Sequence, residues 1–190
     1  QIWQLVGKQA YCIDEITARY PYNNTKGVCK MFKEKYFNHN GGLFIYGDPS
    51  GKSEDTRTEA GQNDFRIIAA ELQQYKPAFR LHSKAPAVVM RGNWINAILG
   101  HNEGELKIFI ENSCTSTIAD LSYLKEASDG TKHKEKHRDN DTGISYEKYG
   151  HLSDCMDYLL TFAYGSEYEK FQRGGVNIIP KFGKRTAKNL

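Results

Sequence analysis

The sequence predicts an α/β fold, in which helices cover a mixed β-sheet. Short apolar runs alternate along the chain with longer segments that carry apolar residues at helical spacing. The chain opens with two β-forming runs around a short glycine-containing loop, which is the pattern of an antiparallel hairpin. An antiparallel start followed by alternating strands and helices favours a mixed sheet over a purely parallel one. The length of 190 residues suits one domain with a tail.

Each predicted strand is a short apolar or β-branched run with turn-forming residues at its ends. Gly7 marks the turn of the opening hairpin, and Gly41 and Gly42 precede the third run. The predicted strands cover residues 2–6, 10–16, 43–47, 79–82 and 106–110.

Each predicted helix has apolar residues three or four positions apart and a capping residue before it or a glycine after it. Asn24 or Thr25 can cap the first helix, Asp64 can cap the second, and Gly100 ends the third. The predicted helices cover residues 25–37, 64–74, 85–99, 115–124 and 150–163. Between the last two predicted helices, residues 129–143 form a charged loop or hairpin with a glycine near each end.

Charge is distributed unevenly along the chain. The net charge is +3, yet residues 170–190 contain six basic residues and no acidic one, so the preceding residues are slightly acidic in sum. We interpret residues 1–165 as the folded domain and residues 166–190 as a basic tail. Such a tail can contact nucleic acid or an acidic partner, and it can equally be a solvated end that aids solubility.

Cysteine content and hydropathy exclude several classes of protein. The four cysteines are scattered and form no Cys-x-x-Cys pair, which argues against a zinc ribbon or a disulfide scaffold and fits a reducing cytoplasm. No stretch approaches the ~18 apolar residues of a membrane span. The first residues lack the features of a signal peptide, and the absence of an initial Met indicates a fragment of a longer protein.

The segment 47–53, Gly-Asp-Pro-Ser-Gly-Lys-Ser, first suggests a phosphate-binding loop. Three residues separate its glycines where the Walker pattern needs four, so an ATP site is not predicted. Asp48 instead follows an apolar strand, at the place where α/β sheets bind ligands. Its carboxylate can bind Mg²⁺ or Mn²⁺, or it can bond the backbone of an Asx turn, and this segment alone favours the turn.

A second motif opens the last predicted helix. His151 and Asp154 are three residues apart and share one helix face, close to the positive end of the helix dipole. Gly150 before them allows a close approach of other groups. The pair can face a metal ion, or it can simply decorate a helix terminus. We interpret Asp157, one turn further on, as a surface charge.

Together these motifs resemble one family, the nuclease domain of the large terminase subunit of tailed bacteriophages. The matching segments are Tyr-Cys-Ile-Asp-Glu-Ile at 11–16, Ile-Tyr-Gly-Asp-Pro-Ser-Gly-Lys at 45–52, and Gly-His-Leu-Ser-Asp at 150–154 with Tyr158. Their order and their separation match the family over residues 1–165.

The resemblance implies an RNase H-like fold, with helices on both sides of a mixed five-stranded sheet. It implies a metal-dependent endonuclease that cuts concatemeric double-stranded DNA with two divalent ions, Mg²⁺ or Mn²⁺. By match of motif, Asp48 corresponds to the metal-binding carboxylate after the fourth strand, and Asp154 to the one on the last helix. His151 corresponds to a histidine beside the metals in some members, and it favours Mn²⁺.

The chain departs from the family in one respect. The first catalytic aspartate of the family lies on a strand that precedes the hairpin at residues 2–16. The resemblance therefore implies that the first strand of the sheet is missing from this chain, and that the chain by itself is weak or inactive as a nuclease.

The resemblance also implies partners. They are double-stranded DNA, the phage portal protein, the small terminase subunit and the ATPase domain of the same full-length chain, all in the cytoplasm of the bacterial host. Lys52, Lys84 and Arg91 are candidates for contacts with the DNA backbone. The segment 129–143 can clamp DNA or gate access to the site, or it can be a mobile loop.

Two other functions stay open at this point. The chain can be a non-catalytic module that docks on the portal or on DNA through its basic tail. It can also be another RNase H-like enzyme, such as a resolvase or a nuclease for RNA–DNA hybrids.

Overall fold

The computed structural model describes residues 1–53, 63–100, 104–140 and 143–174, and these form a mixed α/β fold. The helices are α1 (Thr25–Lys35), α2 (Asp64–Glu71), α3 (Val88–Leu99), α4 (Thr115–Tyr123), α5 (His151–Ala163) and α6 (Gly165–Gly174). The longer strands are β1 (Ile2–Val6), β2 (Gln9–Asp14), β3 (Leu43–Ile45), β4 (Pro77–Phe79) and β5 (Lys107–Ile110). Among these residues no helix has both the length and the apolar character needed to cross a membrane.

The strands pair in both directions. β1 and β2 form the predicted antiparallel hairpin, and β2 pairs in parallel with β5, so that Ala10 lies opposite Ile108. β3 and β4 form a separate parallel pair. The α/β class and the mixed strand directions are thus confirmed, although the described strands divide into separate sheets rather than one.

Four short strands lie in and around the charged segment that precedes α5. They form two antiparallel hairpins, the first between β6 and β7 and the second between β8 and β9. Their bounds are β6 (Lys125–Glu126), β7 (Lys132–His133), β8 (Lys136–Arg138) and β9 (Ser145–Glu147). Lys132 of the first hairpin contacts α5, so this segment forms part of the site described below.

The main core lies between the β1–β2–β5 sheet and helices α3, α5 and α6. Trp94, Met156 and Leu160 are fully buried there, and they pack with Ala10 of β2. A smaller cluster of Cys29, Leu72 and Tyr75 joins α1 to α2. Six consecutive residues of α5, 156–161, are buried, so the middle of this helix is enclosed on all sides.

Helix and strand ends differ from the sequence prediction at identifiable points. The side chain of Asn24 caps α1 as expected, but Asn63 rather than Asp64 caps α2. α3 begins at Val88 and not at residue 85, because Pro86 disfavours helical backbone in the residue before it. β4 begins at Pro77 and ends at Phe79, two to three residues earlier than predicted, where its backbone can pair with β3.

The start of the region interpreted as a tail is helical and packs on the core. Residues 166–174 belong to α6, and Tyr168 and Phe171 of this helix are buried in the main core. The Tyr168 ring lies 5.1 Å from that of Trp94, centroid to centroid. Residues 175–190 lie outside the described part of the chain, and so does most of the polar stretch before α2.

Candidate functional site

The site lies where the parallel pair β3–β4 ends. Both carboxyl ends are at the same edge, and the Arg80 amide just after β4 donates to Ile45 O at the end of β3, at 2.7 Å. Asp48 follows β3 by three residues. This edge is the usual position of ligands in parallel sheets.

Asp48 makes the Asx-turn contact, one of the two alternatives that the sequence left open, and it also contacts a tyrosine of α5. Its Oδ1 accepts a hydrogen bond from the Ser50 amide at 2.8 Å, so it caps the short turn Pro49–Lys52 as an Asx residue. Its Oδ2 accepts a hydrogen bond from the Tyr158 hydroxyl at 2.7 Å. Tyr158 lies one helical turn beyond Asp154 on α5. The turn after β3 and the middle of α5 are therefore in contact.

The surroundings of Asp48 favour its charged form. Partial burial opposes this, but the hydrogen bonds from Ser50 and Tyr158, together with the positive charge of Arg91, lower the pKa of Asp48 below its usual value. Burial, together with the same contact with Asp48, raises the pKa of Tyr158. Asp48 is thus an anion across the physiological pH range, with lone pairs on both oxygens left for a further ligand.

Asp154 lies in the first turn of α5, in contact with three cationic side chains. Its Oδ1 accepts from Arg91 Nη2 at 2.8 Å and from Lys132 Nζ at 3.0 Å, and its Oδ2 is 3.0 Å from Lys134 Nζ. Burial of Asp154 opposes ionisation, but the lysines outweigh it and lower the pKa of this carboxyl. Asp154 therefore carries its negative charge next to β7.

Asp157 is buried, so the interpretation of this residue as a surface charge was wrong. Only 1% of its surface is exposed. Its Oδ2 accepts from Arg91 Nε at 2.9 Å and from Lys132 Nζ at 2.6 Å. Burial raises the pKa of Asp157, and the two cations oppose that effect. We call Arg91, Lys132, Lys134, Asp154 and Asp157 the ion cluster.

Arg91 is the centre of the ion cluster and is not an exposed DNA contact in this structure. It is 3% exposed, and it bonds both aspartates of α5 and the carbonyl of Pro86. Its guanidinium also lies over the Tyr158 ring, 4.6 Å from the centroid. Arg91 thus connects the carboxylates of α5 to the tyrosine that contacts Asp48.

The remaining candidates from the sequence lie at the surface. The side chain of His151 is 64% exposed, and its Nε2 is 3.5 Å from Glu147 Oε2 on β9. That contact joins His151 to the second hairpin, whereas Asp48 contacts Tyr158 and Asp154 contacts Arg91, whose guanidinium lies over the Tyr158 ring. Lys52 and Lys84 are exposed, as contacts with a DNA backbone would require.

A buried aspartate that sequence reasoning missed holds the start of α5. Asp120 of α4 is 3% exposed and accepts hydrogen bonds from the amides of Gly150, Leu152 and Ser153, at 2.5, 2.7 and 2.9 Å. Gly150 has a φ of 110°, a left-handed conformation that favours glycine. A Cβ at that residue would lie 3.2 Å from the Lys134 side chain, which confirms the predicted close approach.

His82 was also missed. It follows β4, at the same sheet edge as Asp48, and its Nε2 lies 3.0 Å from Thr161 Oγ1 on α5. Burial, followed by the charge of Arg91, lowers the pKa of His82, so the ring is neutral at physiological pH. Its only signal in the sequence was its place at the end of the predicted strand 79–82.

Two side chains at this site carry the type of ligand atom that a divalent cation prefers. Asp48 and Asp154 supply carboxylate oxygens, which Mg²⁺ and Mn²⁺ prefer, whereas the three positive side chains that already bond Asp154 oppose a further cation there. Within the four described ranges, no group of three or more His, Cys, Asp or Glu residues gathers as a ready metal site.

Three comparisons with known proteins bear on this arrangement. No protein-family model, no curated protein and no solved structure matches the chain. The terminase resemblance therefore stays a prediction from the motifs.

Proposed function

We propose that this chain is the nuclease domain of a phage DNA-packaging terminase, an endonuclease that hydrolyses double-stranded DNA with divalent metal ions. The observation that carries the proposal is the hydrogen bond between Tyr158 and Asp48. It joins the two motifs from which the resemblance was drawn, although 110 residues separate the two side chains along the chain. This contact supports a single site that includes the carboxylate after β3 and the carboxylate on α5.

The strand pattern supports an RNase H-like arrangement. An antiparallel hairpin followed by parallel strands is the mixed order that this fold uses. The contact between Asp48 and α5 supports the neighbourhood that the resemblance implies for them. Among the described strands, β1 and β3 each pair on one side only, which is compatible with the central first strand that the resemblance places before the hairpin.

Each group has a role in the proposed chemistry. Asp48 and Asp154 would hold the divalent ions, which activate a water and stabilise the leaving oxygen of the phosphodiester. Tyr158 fixes the orientation of Asp48, and Arg91 fixes that of Asp154. Lys52 and Lys84 would contact DNA phosphates. The proposal places the protein in the bacterial host cytoplasm, with the portal, the small subunit and the ATPase domain as its partners.

A plasmid-cleavage assay tests this function. The chain, or a longer natural chain that contains it, is incubated with supercoiled plasmid and MnCl₂ or MgCl₂. We expect nicking and linearisation that EDTA abolishes. Asp48→Asn and Asp154→Asn should each lower the rate by at least about a hundredfold, because each removes a charged metal ligand.

Asp129→Asn is the matched control. Like Asp48, Asp129 bonds the backbone two residues on, with its Oδ1 3.0 Å from the Thr131 amide, and the residue is exposed. This variant should cut at the wild-type rate. Metal-dependent cleavage that survives Asp48→Asn unchanged would contradict the proposal, and so would no cleavage by a natural chain that includes the preceding strand.

One observation favours a second function, a docking module without catalysis. Three cations already surround Asp154, as in a structural ion cluster. In that case the wild type would bind DNA in a gel-shift assay without cutting it. Binding would then be unaffected by Asp48→Asn and by EDTA.

A further inference from the structure

Two tyrosines lie at the surface in the turn that precedes α1. Tyr20 is 65% exposed and Tyr22 is 58% exposed. Within the part of the chain that the structure describes, neither ring packs against another ring and neither hydroxyl has a hydrogen-bond partner. Both rings are therefore available to a flat partner from outside the chain.

Backbone contacts hold this turn in place. The Tyr22 amide donates to Arg19 O at 2.8 Å. The side chain of Asn24, which also caps α1, donates to Pro21 O at 3.1 Å. Gly27 of α1 lies against the turn, because a Cβ at that residue would be 2.2 Å from Tyr22 O. The turn is thus ordered before any ligand arrives, and a ligand does not have to order it.

The charge around the turn has one sign. Residues 16–33 contain four basic side chains and no acidic one. Two of the four, in α1, pair with glutamates. Arg19 and Lys26 are exposed and make no ion pair among the described residues. We call Arg19, Tyr20, Tyr22 and Lys26 the tyrosine surface, in which two open rings are joined to two unpaired cations.

Single-stranded DNA uses both kinds of group. Aromatic side chains stack on bases, whose faces are open in a single strand and covered in a duplex. Arg and Lys neutralise the phosphates of the same strand. The Cα atoms of Tyr20 and Tyr22 are at most about 7 Å apart, so their rings can contact two bases of one strand. An acidic peptide would engage the cations but would leave the rings without a partner.

We propose that the tyrosine surface binds single-stranded DNA, with the rings of Tyr20 and Tyr22 stacked on bases and with Arg19 and Lys26 on phosphates. This binding needs no metal ion, and its residues are separate from those around Asp48. It goes beyond the proposed nuclease function and does not depend on it.

Fluorescence anisotropy of a labelled oligothymidylate of about 16 nucleotides tests the proposal. The protein is titrated into the oligonucleotide in the presence of EDTA, so that no divalent ion contributes and no DNA is cut. We expect binding at low salt that weakens as KCl is added. A wild-type protein that does not bind the single strand would overturn the proposal.

Tyrosine variants test the stacking. Tyr20→Ala combined with Tyr22→Ala should weaken binding by at least about tenfold, whereas the corresponding pair of Phe substitutions keeps the rings and should stay within about twofold of the wild type. Tyr123→Ala removes a tyrosine that is 63% exposed elsewhere, and it should match the wild type. Because the substituted side chains are exposed, the melting temperature should not change. Unaltered binding by the double alanine variant would place the strand elsewhere and refute the proposal.

Variants of the two cations test the phosphate contacts. Arg19→Gln combined with Lys26→Gln should lower the slope of log K against log salt by about 1.4, because each phosphate contact on a single strand contributes about 0.7. Lys136→Gln, at an exposed position of β8, is the control and should keep the wild-type slope. The same slope in the double variant and the wild type would contradict the assigned role of these cations.

Two further ligands distinguish other occupants. Binding of a duplex of the same length should change by less than about twofold in the double alanine variant, because a duplex covers its base faces. An equal loss for duplex and single strand would overturn the stacking. Displacement of the oligonucleotide by polyglutamate at equal charge would assign the surface to an acidic protein segment instead. In each of these cases, metal-dependent cleavage that requires Asp48 would still support the nuclease.

Discussion

The hydroxyl of Tyr158 links helix α5 to the turn that follows strand β3, because it donates a hydrogen bond to Asp48. Its hydrogen bond and that of the Ser50 amide are the contacts that keep Asp48 charged. Asp48 is exposed to solvent on its other side. Its charge state therefore depends on these few contacts.

Tyr158→Phe should shift the pH dependence of the proposed cleavage. Loss of the hydroxyl removes a bond that lowers the pKa of Asp48, so the pKa rises and the acid limb of the rate profile moves to higher pH. Plasmid cleavage measured from about pH 4 to 8 checks this. Tyr123→Phe, at an exposed tyrosine, should leave the profile unchanged, and an identical profile for Tyr158→Phe would count against the role of its hydroxyl.

Asp120→Ala should destabilise the protein strongly. The carboxylate satisfies three amides at the start of α5 in a buried position, and all three would lose their partner. We expect the free energy of unfolding to fall by about 2–4 kcal/mol in urea titrations.

Glu169→Ala removes an exposed acid that pairs with Arg173 four residues on, and it should cost less than about 0.5 kcal/mol. A loss for Asp120→Ala that is no larger than this would show that the α5 amides find other partners.

Among the elements, helix α6 completes the main core, although the sequence predicted that the folded domain ends at residue 165. Phe171 and Tyr168 are three residues apart and are both buried, while the helix between and after them is polar. Two apolar positions in a segment of ten are a weak amphipathic signal, which is why the helix was interpreted as part of a basic tail.

Phe171→Ala should lower the free energy of unfolding by about 3–4 kcal/mol, because it leaves a cavity in the main core. Gln172→Ala, at the exposed neighbouring position, should change it by less than about 0.5 kcal/mol. Thermal or urea unfolding of both variants measures the difference. Equal stability of the two would mean that α6 does not contribute to the cooperative fold.

The sequence predicted those elements whose pattern is local. The opening hairpin, the Asn24 cap of α1 and the strand before Asp48 each depend on neighbouring residues, and they were confirmed. The ion cluster depends instead on partners that are distant in sequence, such as Arg91 and Asp154, 63 residues apart. No spacing rule connects such residues, so the sequence assigned Arg91 to DNA contact and Asp157 to the surface.

For the whole molecule, the carboxylates make the free energy of unfolding depend on pH. Burial opposes the effect, but hydrogen bonds and nearby cations lower the pKa values of four carboxyls below their ordinary values of 3.8 for Asp and 4.5 for Glu. They are Asp14, Glu15, Asp48 and Asp154. The folded protein thus releases these protons more readily than the unfolded chain does.

These carboxyls should therefore contribute their full stabilisation at neutral pH. The free energy of unfolding should fall as the pH drops below about 5, first through the ordinary pKa values of the carboxyls and then toward their lowered pKa values in the folded protein. The raised pKa of Asp157 acts in the opposite direction, but it is one carboxyl against these four and three more with lowered pKa values, Glu71, Asp129 and Glu167. Urea unfolding at a series of pH values measures the trend. Stability that stays constant or rises between about pH 5 and 3 would contradict it.

The separate sheets have a consequence for how the protein behaves in solution. Along the outer sides of β1 and β3, the described chain leaves backbone donors and acceptors without a neighbouring strand, beside the exposed side chains of Val6 and Phe44. Such borders act as templates on which an extended peptide can add. At high concentration, these two borders are where molecules of this protein would first adhere to one another.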